Sequence, residues 1–168
     1  MIIIVEGIDR VGKTTLCNKL SAELNMPIYK HSQKIMDYSM MDNLNETDKM
    51  LQLLDICELT NANIIFDRFH FSDYVYGILE RGYYTKIASE NLYILDDKLF
   101  DMNAIIVYMH PTDIKMSSEQ HGKDLIPYFE LMNNVRNMSK TSVYVCDYYH
   151  INNMVKEIKE LLHEKSSI

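Results

Sequence analysis

Gly7-Ile8-Asp9-Arg10-Val11-Gly12-Lys13-Thr14 is the stretch whose reading decides the fold. It fits Gly-x-x-x-x-Gly-Lys-[Ser/Thr], a loop that cradles phosphate, and its setting is the one that such a loop requires. Ile2-Ile3-Ile4-Val5 runs into it as a short, apolar, β-branched strand. Leu16, Leu20 and Leu24 follow at four-residue spacing and mark one face of a helix. Glycines at 7 and 12 permit backbone angles and a close approach that a side chain would obstruct. Successive N–H groups then turn inward, and the helix adds the positive end of its dipole. Lys13 can reach the β- and γ-phosphates of a nucleotide, and the Thr14 hydroxyl can ligate Mg²⁺.

Outward from this loop, Asn25 and Pro27 break the first helix, and Pro27 to His31 reads as a second strand. The pattern from Ser32 to Asn45 is weak and polar, a loop with room for one helical turn. Thr47 to Thr60 is helical on the apolar stripe of Met50, Leu51, Leu53, Leu54, Ile56 and Cys57. Ile64 to Asp67 is a third strand closed by a carboxylate, and helices over 71–80 and 87–100 follow on either side of Gly82. Ala104 to Met109 is a fourth strand, stopped by Pro111. A polar stretch over 113–123 precedes a helix with Leu125, Phe129, Met132 and Val135 on one face. Val143 to Cys146 is the fifth strand, and the last helix carries Ile151, Val155, Ile158 and Leu162. Strands alternating with helices, without repeat or linker, predict a single α/β domain over 1–168, a three-layer sandwich. Its centre is a five-stranded parallel sheet with helices on both faces. Ligands of such sheets bind beyond the carboxyl ends of the strands, where the glycine loop and Asp67-Arg68 both arrive.

A chain of 168 residues with 24% charged and 47% hydrophobic residues is long and apolar enough to build a core. Its net charge of −7 argues against a nucleic-acid partner, which normally meets a basic face. Cys17, Cys57 and Cys146 lie scattered among apolar neighbours, as reduced thiols of a cytoplasmic protein do. The six histidines show no metal-ligand spacing. Neither a signal peptide nor a membrane span is expected.

Asp67-Arg68-Phe69-His70-Phe71-Ser72 stands where the third strand meets its helix. A carboxylate beside a phosphate loop can hold Mg²⁺ directly or through water, and the neighbouring arginine offers a planar fork to a second phosphate. An Asp–Arg pair that merely caps the helix would read the same.

Glu6-Gly7-Ile8-Asp9-Arg10-Val11-Gly12-Lys13-Thr14-Thr15 resembles the Glu-Gly-x-Asp-x-x-Gly-Lys loop of thymidylate kinases. Asp67 to Ser72 resembles their Asp-Arg-[Tyr/Phe]-x-x-Ser motif, and Tyr76 falls where they carry an aromatic. The resemblance implies a P-loop kinase that uses ATP and Mg²⁺ to phosphorylate dTMP or a related pyrimidine deoxynucleoside monophosphate, and a homodimer. It implies that Gly7, Arg10, Val11, Gly12, Lys13, Thr14 and Thr15 wrap ATP, with the metal on Thr14 and Asp67. Asp9, Lys30, Arg68, Phe69, Ser72 and Tyr76 would bind the acceptor, Asp9 at its sugar hydroxyl and Arg68 at its phosphate. Lys13, Arg10, Arg68 and Asp67 would be the catalytic set. The acceptor-binding part would span about 30–62 and a short lid about 113–124, both expected to close over the substrates. One branch of the family carries an arginine inside the glycine loop and dispenses with catalytic arginines in the lid. Arg10 fits that branch, as between Asp113 and Lys140 only Arg136 is an arginine. Arg10 as a solvated surface residue is the plainer alternative.

The chain also departs from the family. The helix before the third strand, Leu53 to Leu59, lacks the base-stacking phenylalanine and base-reading arginine. The lid's Glu-Arg-Tyr-Glu pattern is replaced by Ser117 to Lys123, and the arginine after the second strand by Lys30-His31 or Lys34. A kinase for a modified pyrimidine (5-hydroxymethyl-dUMP, or that base within DNA) and a deoxynucleoside kinase with Glu6 or Asp67 as base are therefore competing readings. An NTP-binding switch is a third, although no Asn-Lys-x-Asp guanine motif is present.

Overall fold

The structure is a computed structural model that describes residues 1–30 and 43–165. Strands β1 (Ile2–Glu6), β2 (Ile28–Lys30), β3 (Ile64–Asp67), β4 (Ile105–Met109) and β5 (Ser142–Cys146) form one parallel sheet in the order β2-β3-β1-β4-β5. The helices between and after them are α1 (Lys13–Leu24), α2 (Asn43–Leu59), α3 (His70–Arg81), α4 (Thr85–Asp101), α5 (Ile114–His121), α6 (Ile126–Met138) and α7 (Ile151–Lys165). A single 3₁₀ turn, Tyr148–His150, leads into α7. Every residue of β1 and of β4 is buried, which explains their unbroken apolar runs. Helix α1 packs against β1, β3 and α7, while α3 packs against α4 and α6, so helices cover both faces.

Two segments differ from the sequence reading. Helix α2 begins at Asn43, so the end of the segment read as a loop is helical. The remainder of that segment, with His31 and Lys34, lies outside the described residues, and so does any closing movement there. The polar stretch over 113–123 carries a helix, α5. Asp113 caps it, its carboxylate accepting from the amides of Lys115 at 2.9 Å and Met116 at 3.0 Å, and Gly122 ends it. A cap at one end and a stop at the other outweigh the weak apolar periodicity between them.

What ties β1 to α3 is one carboxylate. Glu6 is fully buried at the end of β1. Its Oε1 accepts from the amides of Phe69 at 2.8 Å, Phe71 at 3.1 Å and Ser72 at 3.3 Å, and its Oε2 accepts from the Ser72 hydroxyl. These are amides of the helix start that have no partner inside the helix, and a negative charge at that end also meets the favourable pole of the dipole. Around the clamp the aromatic rings close out water. Phe66 and Phe69 lie 4.9 Å apart between centroids, and Phe71 packs on His70 at 4.5 Å. Replacing Glu6 with Ala leaves three buried amides without an acceptor. Its expected cost is roughly 3 kcal/mol or more, or a Tm loss of roughly 6–12 °C, read by thermal and denaturant unfolding. A loss below about 1 kcal/mol would show that α3 is anchored elsewhere.

Candidate active site

The glycine loop leaves β1 and enters α1 along a path only glycine allows at its two ends. Gly7 has φ +139°, and a Cβ there would lie 2.5 Å from the Met109 carbonyl oxygen. Gly12 has φ +92°, and a Cβ would lie 2.7 Å from the Tyr148 ring. Neighbouring protein already fills the space beside both glycines, so the loop must keep this tight path, with backbone and no side chain at its two ends. Together with the end of β3 it bounds a cavity of about 390 Å³, lined by Asp9, Arg10, Gly12, Lys13, Thr14, Thr15, Asp67, Arg68 and His121.

Lys13 is buried and donates from Nζ to the Ile8 carbonyl, folded back on its own loop. Burial, and then the charge of Arg68, push its pKa down to about 7; Asp9, Asp67 and Glu6 pull the other way and are outweighed. Thr14 Oγ1 donates to Asp67 Oδ2 at 3.3 Å. This hydroxyl and carboxylate are hard oxygen donors side by side at the rim of the phosphate cradle, a set that fits Mg²⁺.

Arg68 follows β3 with φ +73°, a left-handed conformation that side chains rarely adopt. Its amide donates to the Val5 carbonyl at 3.0 Å, so the strained residue is pinned directly beside the loop. The guanidinium donates from Nη2 to Asp9 Oδ1 and lies over the Tyr76 ring, 5.0 Å from its centroid. Its Nη1 is buried and has no hydrogen-bond acceptor. Burial works against the charge of Asp9, but Arg68 and Lys13 outweigh it and hold the carboxyl below its ordinary range. The other oxygen of Asp9 lies 3.1 Å from His121 Nε2. Arg10 is exposed at the cavity mouth, with φ +66°.

Several expected site residues lie elsewhere. Phe69 is fully buried in the core, and Ser72 is turned inward onto Glu6, so neither side chain reaches an acceptor in the cavity. Val11 is buried as packing under the loop, and Gly7 acts through its backbone angles. Tyr76 is buried as a platform under Arg68; burial pushes its phenol up to about 12 and keeps it neutral. Lys30 is exposed at the end of β2, in register with Asp67 but outside the cavity lining. The carboxylate that caps α3 is Glu6, not Asp67. Two residues at the site are not among those expected, Glu6 as the clamp between β1 and α3 and His121 at the end of α5. The glutamate was in view as part of the loop motif, but nothing local in the sequence marks the histidine.

No family model matches the chain. It is 31% identical over 154 residues to the SPbeta prophage-derived protein YorR of Bacillus subtilis, covering 87% of this chain and 88% of the relative. The crystal structure of B. subtilis YorR in complex with phosphorylated GDP superposes with a TM-score of 0.79 at 26% identity, over 100% of this chain and 99% of that one. Thymidylate kinase from Ehrlichia chaffeensis follows the same fold with a TM-score of 0.62 at 16% identity, over 96% and 98%. Deoxyadenosine kinase from M. mycoides does so with a TM-score of 0.53 at 18% identity, over 98% and 99%. The shared fold is that of the P-loop nucleotide kinases, and the chain belongs to the family of Bacillus subtilis YorR.

Proposed function

We propose that the chain is an ATP-dependent nucleoside monophosphate kinase, transferring the γ-phosphoryl group of ATP to a deoxynucleoside monophosphate, with a pyrimidine such as dTMP as the first candidate. The observation that carries this reading is the sharing of one cavity by Lys13 and Arg68, with Thr14 and Asp67 at the same rim. Two cation-bearing loops facing one hollow suit two anionic substrates. Lys13 and the loop amides bind the donor phosphates, Arg68 binds and orients the acceptor phosphate, and Arg10 closes the mouth with further positive charge. Thr14 and Asp67 would hold the Mg²⁺ that accompanies ATP, which supplies charge neutralisation at the donor phosphates. An acceptor phosphate is already anionic at neutral pH, so the residues need only position and neutralise; no general base is required.

A nucleoside acceptor is less well served. Its hydroxyl benefits from a base within hydrogen-bond reach. Of the two candidate bases, Glu6 is buried with its acceptor positions taken by the start of α3, which leaves Asp67, a cavity-lining carboxylate that already accepts from Thr14. The base-reading helix is uninformative about pyrimidine chemistry: Leu54 and Cys57 are in the core, and Asp55 and Glu58 pair with Lys98. The phosphorylated GDP bound by YorR favours a second reading, in which one of the two substrates is a guanine nucleotide.

The deciding experiment is a screen of common and 5-hydroxymethylated deoxynucleoside monophosphates, GMP and dGMP among them, against ATP and GTP, with nucleoside diphosphate release and product mass as readouts. Turnover of nucleosides but not monophosphates would overturn the proposal. In the active combination, Lys13→Ala is expected to lower kcat roughly 100-fold or more. Arg68→Ala should raise the acceptor KM roughly 10- to 100-fold. Near-normal kinetics in either variant removes the role given to that residue.

Lys13 also makes proton linkage measurable. Its free-site pKa of about 7 leaves the amine mostly neutral at pH 8, and bound phosphates restore the ammonium. Tripolyphosphate should therefore bind at pH 8 with uptake of close to one proton, and its affinity should fall from pH 7 to 9. Titration calorimetry in buffers of different ionisation enthalpy reads this directly. No uptake at pH 8 would mean that the ammonium persists in the empty site.

A further inference from the structure

We propose that His121 is the lid's phosphate-binding residue, an imidazole that joins Arg68 on the acceptor phosphate. The inference rests on the monophosphate-kinase reading and concerns the same cavity. The geometry carries it. His121 is the last residue of α5 and lines the cavity that holds Lys13 and Arg68. Asp9 carries the Arg68 guanidinium on one oxygen and, 3.1 Å away on the other, His121 Nε2. One carboxylate thus gathers two donors from opposite walls, and a phosphate beside Arg68 presents oxygens to the same pair.

Other cations near the lid do not take this part. Lys123, two residues on, sits 4.1 Å over the Tyr128 ring and pairs with Glu80, to which the Tyr128 hydroxyl also donates at 3.2 Å. That attachment anchors the chain just after α5 to α3 and α6. Tyr128 packs in turn on Tyr76 at 5.1 Å between centroids, and Tyr76 supports Arg68. The anchor that occupies Lys123 therefore holds the end of α5 in line with Arg68 and leaves the imidazole facing the hollow. Around it the charged groups are Asp9, Arg10 and Lys13 from the loop and α1, Asp67 and Arg68 from β3 and its exit, and the Lys123–Glu80 pair behind.

His121→Gln and His121→Arg test this by kinetics and by equilibrium binding of the monophosphates to ATP-free protein. The glutamine variant is expected to weaken monophosphate binding and raise the acceptor KM roughly 10- to 100-fold, with ATP affinity changed less than about twofold. The arginine variant should recover to within about threefold of wild type, since it again places a nitrogen donor at that position. Unchanged monophosphate binding in His121→Gln overturns the proposal. Equal impairment of both variants also overturns it, because it marks lost packing at the helix end. A wild-type chain that binds monophosphates but never phosphorylates them overturns only the kinase reading, and the binding ratio then decides the role of His121. A wild-type chain that binds no monophosphate overturns both.

Discussion

The buried carboxylate of Glu6 is the constraint on which the site depends. A charge with no access to water is tolerated only where hydrogen bonds replace its hydration, and here the start of α3 supplies them. The exchange works both ways, because those amides would otherwise be stranded in a core of phenylalanines. Its geometric result is that the exit of β3 has one permitted path. Arg68 is forced through a left-handed conformation beside β1, and the guanidinium emerges facing the glycine loop. Neither strand alone sets that distance. The clamp between them does.

Charge in the cavity is arranged so that an anion relieves more than it disturbs. Lys13 is held dry next to Arg68, at a cost visible in its lowered pKa. Asp9 and Asp67 offset part of that cost without cancelling it. The groups are thus gathered in one place before a ligand arrives, and a bound anion favours the ammonium form of Lys13. Tyr76 contributes without touching the cavity. Its neutral ring spreads under Arg68 and keeps the guanidinium from folding back into the core.

The parallel sheet, its elements and the glycine loop were legible because their signals are local: apolar runs of strand length, four-residue spacing, and glycines at fixed offsets. Asp67 and Arg68 were legible as a pair for the same reason. The directions of the side chains after them were not. Phe69 and Ser72 stand in a motif that reads as acceptor-facing, but the demand of Glu6 for donors and of Phe66 for a packing partner turns both inward. The demand of Glu6 comes from more than sixty positions away in the chain. Helix α5 was obscured by its polar composition, although Asp113 and Gly122 marked its ends. His121 was hidden more deeply, since its meeting with Asp9 depends on contacts of α5 and the chain after it with α3 and α6, far along the sequence.

The strand order has a consequence for how such a protein can diversify. β1 and β3 are immediate neighbours, and Lys13, Thr14, Asp67 and Arg68 all leave from their two adjoining ends. The chain after β4 and β5 also meets this site, through His121 on Asp9 and Tyr148 beside Gly12, so change there is limited by those contacts. Gene duplication and drift on such a scaffold would act first on residues that touch neither the glycine loop nor Arg68.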